Sequence, residues 1–481
     1  MKLYTKIISV LIWSLILFTG CRKFITVEAP DNLITEQNIY NDDITATSVI
    51  TGLYSKCDGL SVGVATITGL SADEYILWPN VSDIHRPAYY TNNLRATVNV
   101  NTGKDIWNDF YSLIFICNAA IEGITASKSL TVSVQQQLLG ETYFMRAFFY
   151  HFLAELYGDL PLATGTDPEV NRLLTRKPLN EVYDFIISDL SKAREMLSEQ
   201  YLNGLLKPYA NGPERIRPTK WAANALLARV YLYSGDFAKA ESIATEVISN
   251  SSLFSLSPLN DVFLKNNSEA IWQLQPTGIG INTRDGVLFN LKSIPEGLSD
   301  DKPLHISSFL LNSFEVNDQR AVAGNWLDNI VVDSDTLWYT NKYKEGTPNS
   351  NIISTADMTE YTMVLRLGEQ YLIRAEARAR LGDINGAQAD IDEIRTRAGL
   401  PGTAAVDQET MLAAVFNERK VELFSEWAHR WVDLKRSGTV DAVMSTVAPI
   451  KGGAWESADQ LYPIPYEDIQ RNPNLTQNPA Y

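Results

Sequence analysis

Two copies of one short pattern, an alanine, a Gly-Asp pair and a second alanine at fixed offsets, constrain the fold more than any other feature of this sequence. The copies are Ala228, Gly235-Asp236 and Ala240, then Ala375, Gly382-Asp383 and Ala387. Glycine adopts the left-handed conformation that closes a helix, and the aspartate after it can cap the next helix. Small alanines let two antiparallel helices approach closely. The pattern therefore predicts two tetratricopeptide-like helical hairpins, too far apart for a regular tandem array.

Helical periodicity predicts a scaffold with large insertions. We expect helices in segments 30–60, 106–249 and 361–436, and the last segment includes one long helix from Glu409 to Lys435. The aromatic run Phe148-Phe149-Tyr150 lies within a predicted helix and indicates that this helix is buried. The sequence thus predicts a mainly α fold.

Two segments, 60–105 and 250–360, lack helical periodicity. They are rich in Gly, Asn, Ser, Thr, Asp and Pro, and they contain short β-prone runs at 270–274 and 335–339. Long loops that contain aromatic residues are more often functional than disordered. We therefore expect the ligand-binding surface in these two segments.

The first twenty residues have the pattern of a signal peptide. Lys2 and Lys6 accompany an apolar run over residues 7–18 that is too short to span a bilayer as a helix. The junction LFTGC at 17–21 resembles the bacterial lipobox, in which the cysteine is diacylated and becomes the mature N-terminus. We expect cleavage after residue 20 and a lipid on Cys21 as the only membrane attachment, because no later run approaches the roughly 18 uninterrupted apolar residues of a transmembrane helix.

The charge of the chain argues against nucleic acid as a partner. The sequence has 41 Lys and Arg against 57 Asp and Glu, and removing Lys2 and Lys6 with the signal leaves a net charge of −18. A surface with this charge repels phosphate backbones.

No metal or cofactor site is expected. Cys57 and Cys117 are interpreted as separate buried thiols, with a disulfide between them as the alternative. The acidic turns at 300–301 and 333–335 match no EF-hand loop and are interpreted as solvated turns. The histidines lack the spacing of metal ligands; they are His85, His151, His305 and His429.

Eight blocks of sequence along the chain carry a family resemblance. They are FITVEAP at 24–30, WNDFY at 107–111 with CNA at 117–119, ETYFMRAFFY at 141–150, LYGDLPL at 156–162, RLGEQYLIRAEA at 366–377, ERKVEL at 418–423, YPIP at 462–465 and NPNLTQNP at 472–479. In order and spacing, and together with the lipobox, they resemble the SusD/RagB family of outer-membrane lipoproteins of Bacteroidota.

The resemblance implies a single SusD-like body over residues 21–481, with helical hairpins and a loop-rich face. It also implies a location on the outer membrane, facing the cell surface. The implied function is non-catalytic capture of an oligosaccharide, less often a peptide, and its delivery to a SusC-like, TonB-dependent transporter. No cofactor is implied.

Sugar recognition needs flat aromatic faces with polar groups beside them. In the family, the ligand-binding aromatics come from the two loop-rich regions but follow no fixed motif, so the individual residues are our own selection. The predicted ligand-binding residues are Trp78, Asn80, Tyr89, Tyr90, Trp326, Trp338 and Tyr339. The tryptophans assigned to the core are Trp107, Trp221, Trp272, Trp427 and Trp431.

Two other functions remain open at this point. A glycoside hydrolase needs two carboxylates a few ångströms apart, and the chain has many acidic residues but no recognisable catalytic motif. A helical adaptor that binds only proteins would use the alanine-rich hairpins as its groove.

Overall fold

A computed structural model describes residues 39–481, so the predicted signal peptide and Cys21 lie outside the described residues. The helices are α1 Asp43–Ser55, α2 Leu60–Ser71, α3 Arg86–Tyr90, α4 Asp105–Ala126, α5 Val132–Tyr157, α6 Pro168–Asn171, α7 Leu179–Met196, α8 Lys220–Ser234, α9 Phe237–Ile248, α10 Arg284–Phe289, α11 Ser308–Leu311, α12 Leu367–Leu381, α13 Ile384–Arg397, α14 Gln408–Glu422, α15 His429–Arg436, α16 Val440–Ile450 and α17 Tyr466–Arg471.

Both predicted helical hairpins are confirmed. Gly235 ends α8 with φ of 86°, and Gly382 ends α12 with φ of 87°. The aspartate that follows each glycine caps the next helix, because Asp236 accepts a hydrogen bond from the Lys239 amide at 3.2 Å and Asp383 accepts one from Gly386 at 3.0 Å. The four alanines of the pattern are completely buried. The hairpins α8–α9 and α12–α13 pack against each other through α9 and α12.

Helix α5 is the centre of the hydrophobic core. Its aromatic run Phe148-Phe149-Tyr150 is fully buried, as predicted, and the helix packs against α4 on one side and α7 on another. Phe148 meets Trp272 and Trp427 edge-on, with ring centroids 5.5 and 5.2 Å apart. Such edge-to-face pairs stabilise a core beyond the area they bury.

Two predictions about helix boundaries are wrong. Residues 60–71 form helix α2 although they lie in a segment without clear helical periodicity, because this glycine- and threonine-rich stretch is buried along most of its length. The single helix expected from Glu409 to Lys435 is two helices, α14 and α15. The chain turns between them with positive φ at Ser425, Trp427 and Ala428.

The strands form small antiparallel pairs among the described residues. They are β1 Tyr75–Leu77, β2 Leu160–Pro161, β3 Arg176–Lys177, β4 Ala270–Leu274, β5 Leu304–Ile306, β6 Leu327–Val332, β7 Asp335–Thr340 and β8 Thr362–Arg366. The pairs are β1–β5, β2–β3, β4–β8 and the hairpin β6–β7. Asp333 and Ser334 both have positive φ, as in the type I′ turns that suit the twist of a hairpin, so the acidic turn at 333–335 is a structural turn.

A buried ionic cluster joins the loop-rich part to the helices. Arg366 of β8 donates to Glu422 of α14 at 2.6 Å, and Arg320 donates to the same carboxylate at 2.9 Å. Lys342, just after β7, donates to Glu426 at 2.5 Å. We call the following set the ionic cluster: Glu269, Asp318, Arg320, Lys342, Arg366, Arg397, Glu418, Glu422 and Glu426. A charged side chain is stable in a buried position only when it is paired. The ion pairs of this cluster therefore fix the hairpin and β8 on the helical scaffold.

Cys57 and Cys117 are free, buried thiols, which confirms the preferred interpretation. Cys117 lies on α4, and burial raises its pKa well above the ordinary value. Among the described residues α4 is the helix whose length and composition would suffice to cross a membrane; in this fold Trp107 and Phe110 bury its apolar face against the core.

Candidate ligand-binding face

Pairing of β1 with β5 brings the two loop-rich segments together. The amide of Trp78 donates to the carbonyl of Pro303 at 2.7 Å, which extends the pair by one residue. Beyond it, the Ser82 amide donates to the Asp300 carboxylate at 2.6 Å and Arg86 donates to the Asp300 carbonyl at 2.9 Å. Residues 78–86 and 299–304 therefore form one surface.

The hairpin β6–β7 borders this surface, because β7 lies against β5. Trp338 pairs with Asn329 across the hairpin. Asp328, one residue earlier, forms an ion pair with Lys292 at 2.7 Å. We call residues 78–86, 299–304 and the hairpin β6–β7 the candidate face.

Trp78 is the aromatic residue on this face that is best placed to meet a ligand. It is partly exposed, and it is not one of the partly buried side chains packed against the hydrophobic clusters of the described chain. Within residues 39–481, the tryptophans whose indole N–H lacks a protein acceptor are Trp78, Trp338 and the deeply buried Trp431. Indole N–H groups usually find partners when they are structural, so two such groups on one face are available to a ligand.

Polar side chains follow Trp78 in the same loop or bind to that loop. Asn80 is exposed in the turn that follows it. Asp83 and Arg86 form a partly exposed ion pair at 3.2 Å. The hydrogen bonds from Ser82 hold the pKa of Asp300 below its usual value, so this carboxylate is ionised at neutral pH. Sugar binding requires hydrogen-bonding groups for the hydroxyls beside an aromatic ring, and amide, carboxylate and guanidinium groups can provide them.

Trp326 does not belong to the candidate face, and the prediction for it is corrected. Its side chain is 0% exposed and its indole donates to the Leu259 carbonyl at 2.7 Å. The ring lies against the ionic cluster, with the Lys342 ammonium 4.7 Å and the Arg397 guanidinium 5.5 Å from its centroid. Cation–π contacts of this kind stabilise the buried cations, so Trp326 is structural.

The predicted tyrosines are also largely turned inward. Tyr339 is 1% exposed and its hydroxyl donates to Asp328 at 3.1 Å. Tyr89 is 1% exposed and meets Tyr462 edge-on at 5.5 Å. Tyr90 is partly buried, with the Lys451 ammonium 5.3 Å from its ring. Of the seven selected residues, Trp78 and Asn80 remain accessible on the candidate face, and Trp338 is partly exposed there while it packs against the hydrophobic core.

A cleft of about 290 Å³ adjoins the candidate face at Asp83 and Arg86. Helix α4 contributes Asp105 and Asp109 to its opposite wall, and burial together with Asp105 raises the pKa of Asp109. The rest of the lining is mainly apolar but includes Thr66, His85 and the predicted ligand-binding residue Tyr89. Sequence reasoning missed this acidic pair, although its spacing of four residues at the start of a helix places both carboxylates on one side.

Two family models match the chain in separate segments. Residues 323–481 match the model described as the SusD family. Residues 72–232 match a model described as starch-binding and associating with the outer membrane. Of the candidate face, residues 78–86 lie in the segment 72–232 and the β6–β7 hairpin lies in the segment 323–481, whereas residues 299–304 lie outside both.

Two relatives match along most of the chain. The SusD-like protein P25 of Formosa agariphila is 25% identical in an alignment of 542 residues that covers 99% of each chain. The starch-binding protein SusD of Bacteroides thetaiotaomicron is 24% identical, over 75% of this chain and 74% of that protein.

Solved structures share the fold. A laminarin-binding SusD-like protein superposes with a TM-score of 0.73 at 22% identity, covering 92% of this chain and 100% of that chain. Surface glycan-binding protein A from Bacteroides uniformis superposes with a TM-score of 0.74 at 19% identity, covering 91% and 99%. These superpositions confirm the predicted mainly α fold.

Proposed function

Since the chain belongs to the SusD/RagB family, we propose that it is a non-catalytic lipoprotein of the outer membrane that binds an oligosaccharide and delivers it to a SusC-like, TonB-dependent transporter. The observation that carries the proposal is Trp78, a partly exposed tryptophan with an unused indole N–H beside Asn80, Asp83, Arg86 and Asp300. Relatives named for binding starch, laminarin and surface glycans support the ligand class.

The chemistry of the face suits a sugar. One side of a pyranose ring presents C–H groups that pack on an aromatic face, and its edge presents hydroxyls that are both donors and acceptors. Trp78 offers the aromatic face, while Asp83, Arg86 and Asp300 offer acceptors and donors at fixed positions. The hydrogen bonds among these groups hold them in place before a ligand arrives, which lowers the entropic cost of binding.

We propose that Cys21 carries the lipid that holds the protein on the outer membrane, with residues 21–481 acting as one body at the cell surface. The supporting observations are the lipobox-like junction and the family model described as associating with the outer membrane. In cells, Cys21→Ser should move the protein from the membrane fraction to the soluble fraction. Protease added to intact cells should degrade the wild-type protein, and protection of that protein would contradict surface display.

The binding test is isothermal titration of the mature chain with laminari-oligosaccharides, malto-oligosaccharides and a wider panel of soluble glycans. Trp78→Ala should weaken binding of the recognised glycan at least about tenfold, because it removes the aromatic platform. Trp455→Ala is the matched control: this partly buried tryptophan lies away from the face, donates to Asp441 at 2.9 Å and should leave affinity unchanged. Equal glycan affinities of the wild type and Trp78→Ala would show that the candidate face is not the binding site.

Two further outcomes separate the binding alternatives. If short peptides bind and no glycan does, the ligand is a peptide, and the family assignment is unchanged. Co-purification with the transporter that depends on Trp78, without any glycan affinity, would favour a protein-binding adaptor.

A glycoside hydrolase is the third alternative, and one observation favours it, the acidic pair Asp105 and Asp109 in the adjoining cleft. Purified protein that releases reducing ends from a polysaccharide, and an Asp109→Asn variant that does not, would show hydrolysis. We expect no release by either protein.

A further inference from the structure

A second cleft, of about 640 Å³, opens on the helical scaffold and shares no lining residue with the candidate face. It lies where the end of α7, the start of α8 and the end of α9 meet. Its lining combines aromatic rings with the carboxylates of Glu199 and Glu246 and the amides of Gln200 and Asn250. This volume is typical of sites for small molecules.

Two of the rings are held opposite each other by backbone geometry. Leu202 and Pro208 form an antiparallel bridge, so Tyr201 and Tyr209 flank the bridge on facing strands. Tyr201 is 3% exposed and its hydroxyl donates to the Ile271 carbonyl at 2.9 Å, so this ring belongs to the core and forms the floor of the cleft. Tyr209 stays partly exposed. The loop is thus a rigid support for aromatic residues.

The third ring, Trp221, lies in the first turn of α8. It packs against the main hydrophobic cluster, as the sequence predicts for a core residue, and the Lys220 ammonium lies 5.7 Å from its ring centroid, while its remaining exposed part lines the cleft. Its indole donates to the Glu199 carbonyl at 3.2 Å, and Lys220 forms an ion pair with the Glu199 carboxylate at 2.6 Å. These contacts hold the ring and the opposite wall of the cleft in one geometry.

Charges in the cleft are balanced locally. Arg194 pairs with Glu246 at 2.7 Å, Asn224 donates to the same carboxylate at 3.0 Å, and Lys220 pairs with Glu199. A ligand that carried its own charge would compete with these pairs. The cleft therefore suits a neutral ligand that can both donate and accept hydrogen bonds.

We propose that this cleft is a second carbohydrate site, which takes a neutral pyranose unit with its C–H face on Trp221 and its hydroxyls toward Gln200, Glu246 and Asn250. The inference rests on the proposed function only for the class of ligand. It goes beyond that function by placing a second sugar contact on the helical scaffold, far along the chain from the Trp78 loop.

Saturation-transfer difference NMR of the full mature chain with neutral methyl pyranosides, namely glucosides, galactosides and mannosides, tests the inference. In the Trp78→Ala variant at least one pyranoside should still receive saturation, mostly at its ring C–H protons. Trp221→Ala in the Trp78→Ala background should abolish this signal. The matching glucuronide should give a weaker signal, because its carboxylate meets Glu199 and Glu246.

A structural loss of α8 in Trp221→Ala would be visible in its thermal unfolding, so Tyr209→Ala, on the rigid loop, provides a second variant that should also lose the signal. No signal from any pyranoside in Trp78→Ala, or a signal that survives both Trp221→Ala and Tyr209→Ala, overturns the second site. A signal in the wild type that disappears with Trp78→Ala leaves the proposed function intact and removes only this inference. A signal that needs Trp221 and not Trp78 supports the inference and removes the candidate face.

Discussion

Replacing Glu422 by glutamine should cost the protein about 4 kcal/mol of stability. The carboxylate is 0% exposed and accepts hydrogen bonds from Arg366 at 2.6 Å, from Arg320 at 2.9 Å and from Arg397. Glutamine keeps the volume and one acceptor oxygen, so about two charge-assisted hydrogen bonds are lost at roughly 1.5–3 kcal/mol each. Breaking a buried ion pair costs about 3–5 kcal/mol in other proteins.

The assay is scanning calorimetry of the mature chain at pH 7. An unfolding entropy of roughly 2.1 cal/mol/K per residue over about 440 residues converts 4 kcal/mol into a drop of about 4 °C in Tm. Glu409→Gln is the matched control, since Glu409 lies exposed on the same helix α14 and its replacement should change stability by less than about 0.5 kcal/mol.

The pH dependence provides an independent check on the same reasoning. Burial opposes ionisation of Glu422, but Arg397, Arg366 and Arg320 outweigh it and hold its pKa well below the ordinary value of 4.5. A carboxylate with a lowered pKa in the folded state stabilises above the unfolded pKa and loses that contribution as pH falls. The gap between wild type and Glu422→Gln should therefore narrow below about pH 4.5. A variant that melts within 1 °C of the control at pH 7 would refute the argument.

Two further predictions concern buried positions, Glu74 immediately before β1 and Gly346 beside Gly286. Burial raises the pKa of Glu74 to about 7, so the unfolded chain ionises this group before the folded protein does, and stability falls as pH rises from about 4.5 to 7. The free energy of unfolding, measured in urea at pH 4.5 and at pH 8, should fall with pH in the wild type by about 3 kcal/mol more than in Glu74→Gln. The same pH dependence of the unfolding free energy in both proteins would contradict this prediction. Gly346→Ala should destabilise the protein by about 1–3 kcal/mol in thermal melts, because its Cβ would lie 2.1 Å from a backbone carbonyl oxygen. Gly63→Ala is the control and should be neutral or stabilising, because a Cβ there would meet nothing within 4 Å. Equal effects of the two substitutions on stability would contradict the packing argument.

The helical hairpins could be predicted because their signals are local. Gly235 and Gly382 need only their own backbone conformation to end a helix, and the alanines pack at fixed offsets around them. The break between α14 and α15 carries no such signal. Positive φ at Trp427 and Ala428 is unfavourable for residues with a side chain, and here the buried Trp427, whose indole donates to the Met363 carbonyl at 2.7 Å, holds the turn in place.

The two loop tryptophans show why a site is harder to predict than a fold. Trp78 and Trp326 both lie in segments that lack helical periodicity, and the sequence predicts the same role for both. Trp326 is buried because Lys342, Arg366 and Arg397 arrive from distant parts of the chain and stack on its ring. No residue near Trp326 in sequence announces those contacts. The regions could therefore be named from the sequence, whereas accessibility of each ring depended on long-range packing.

The ionic cluster has a consequence for the way in which a ligand is received. Lys342 and Arg320 lie at the two ends of the segment that carries the β6–β7 hairpin. Arg320 pairs with Glu418 of α14, and Lys342 pairs with Glu426 in the turn after α14 and donates to the Glu422 carbonyl at 2.8 Å. To shift the hairpin, a ligand would have to separate charges in a medium of low polarity, which costs several kcal/mol per ion. The hairpin is thus a fixed wall of the candidate face, and a ligand has to fit the shape that this wall already has.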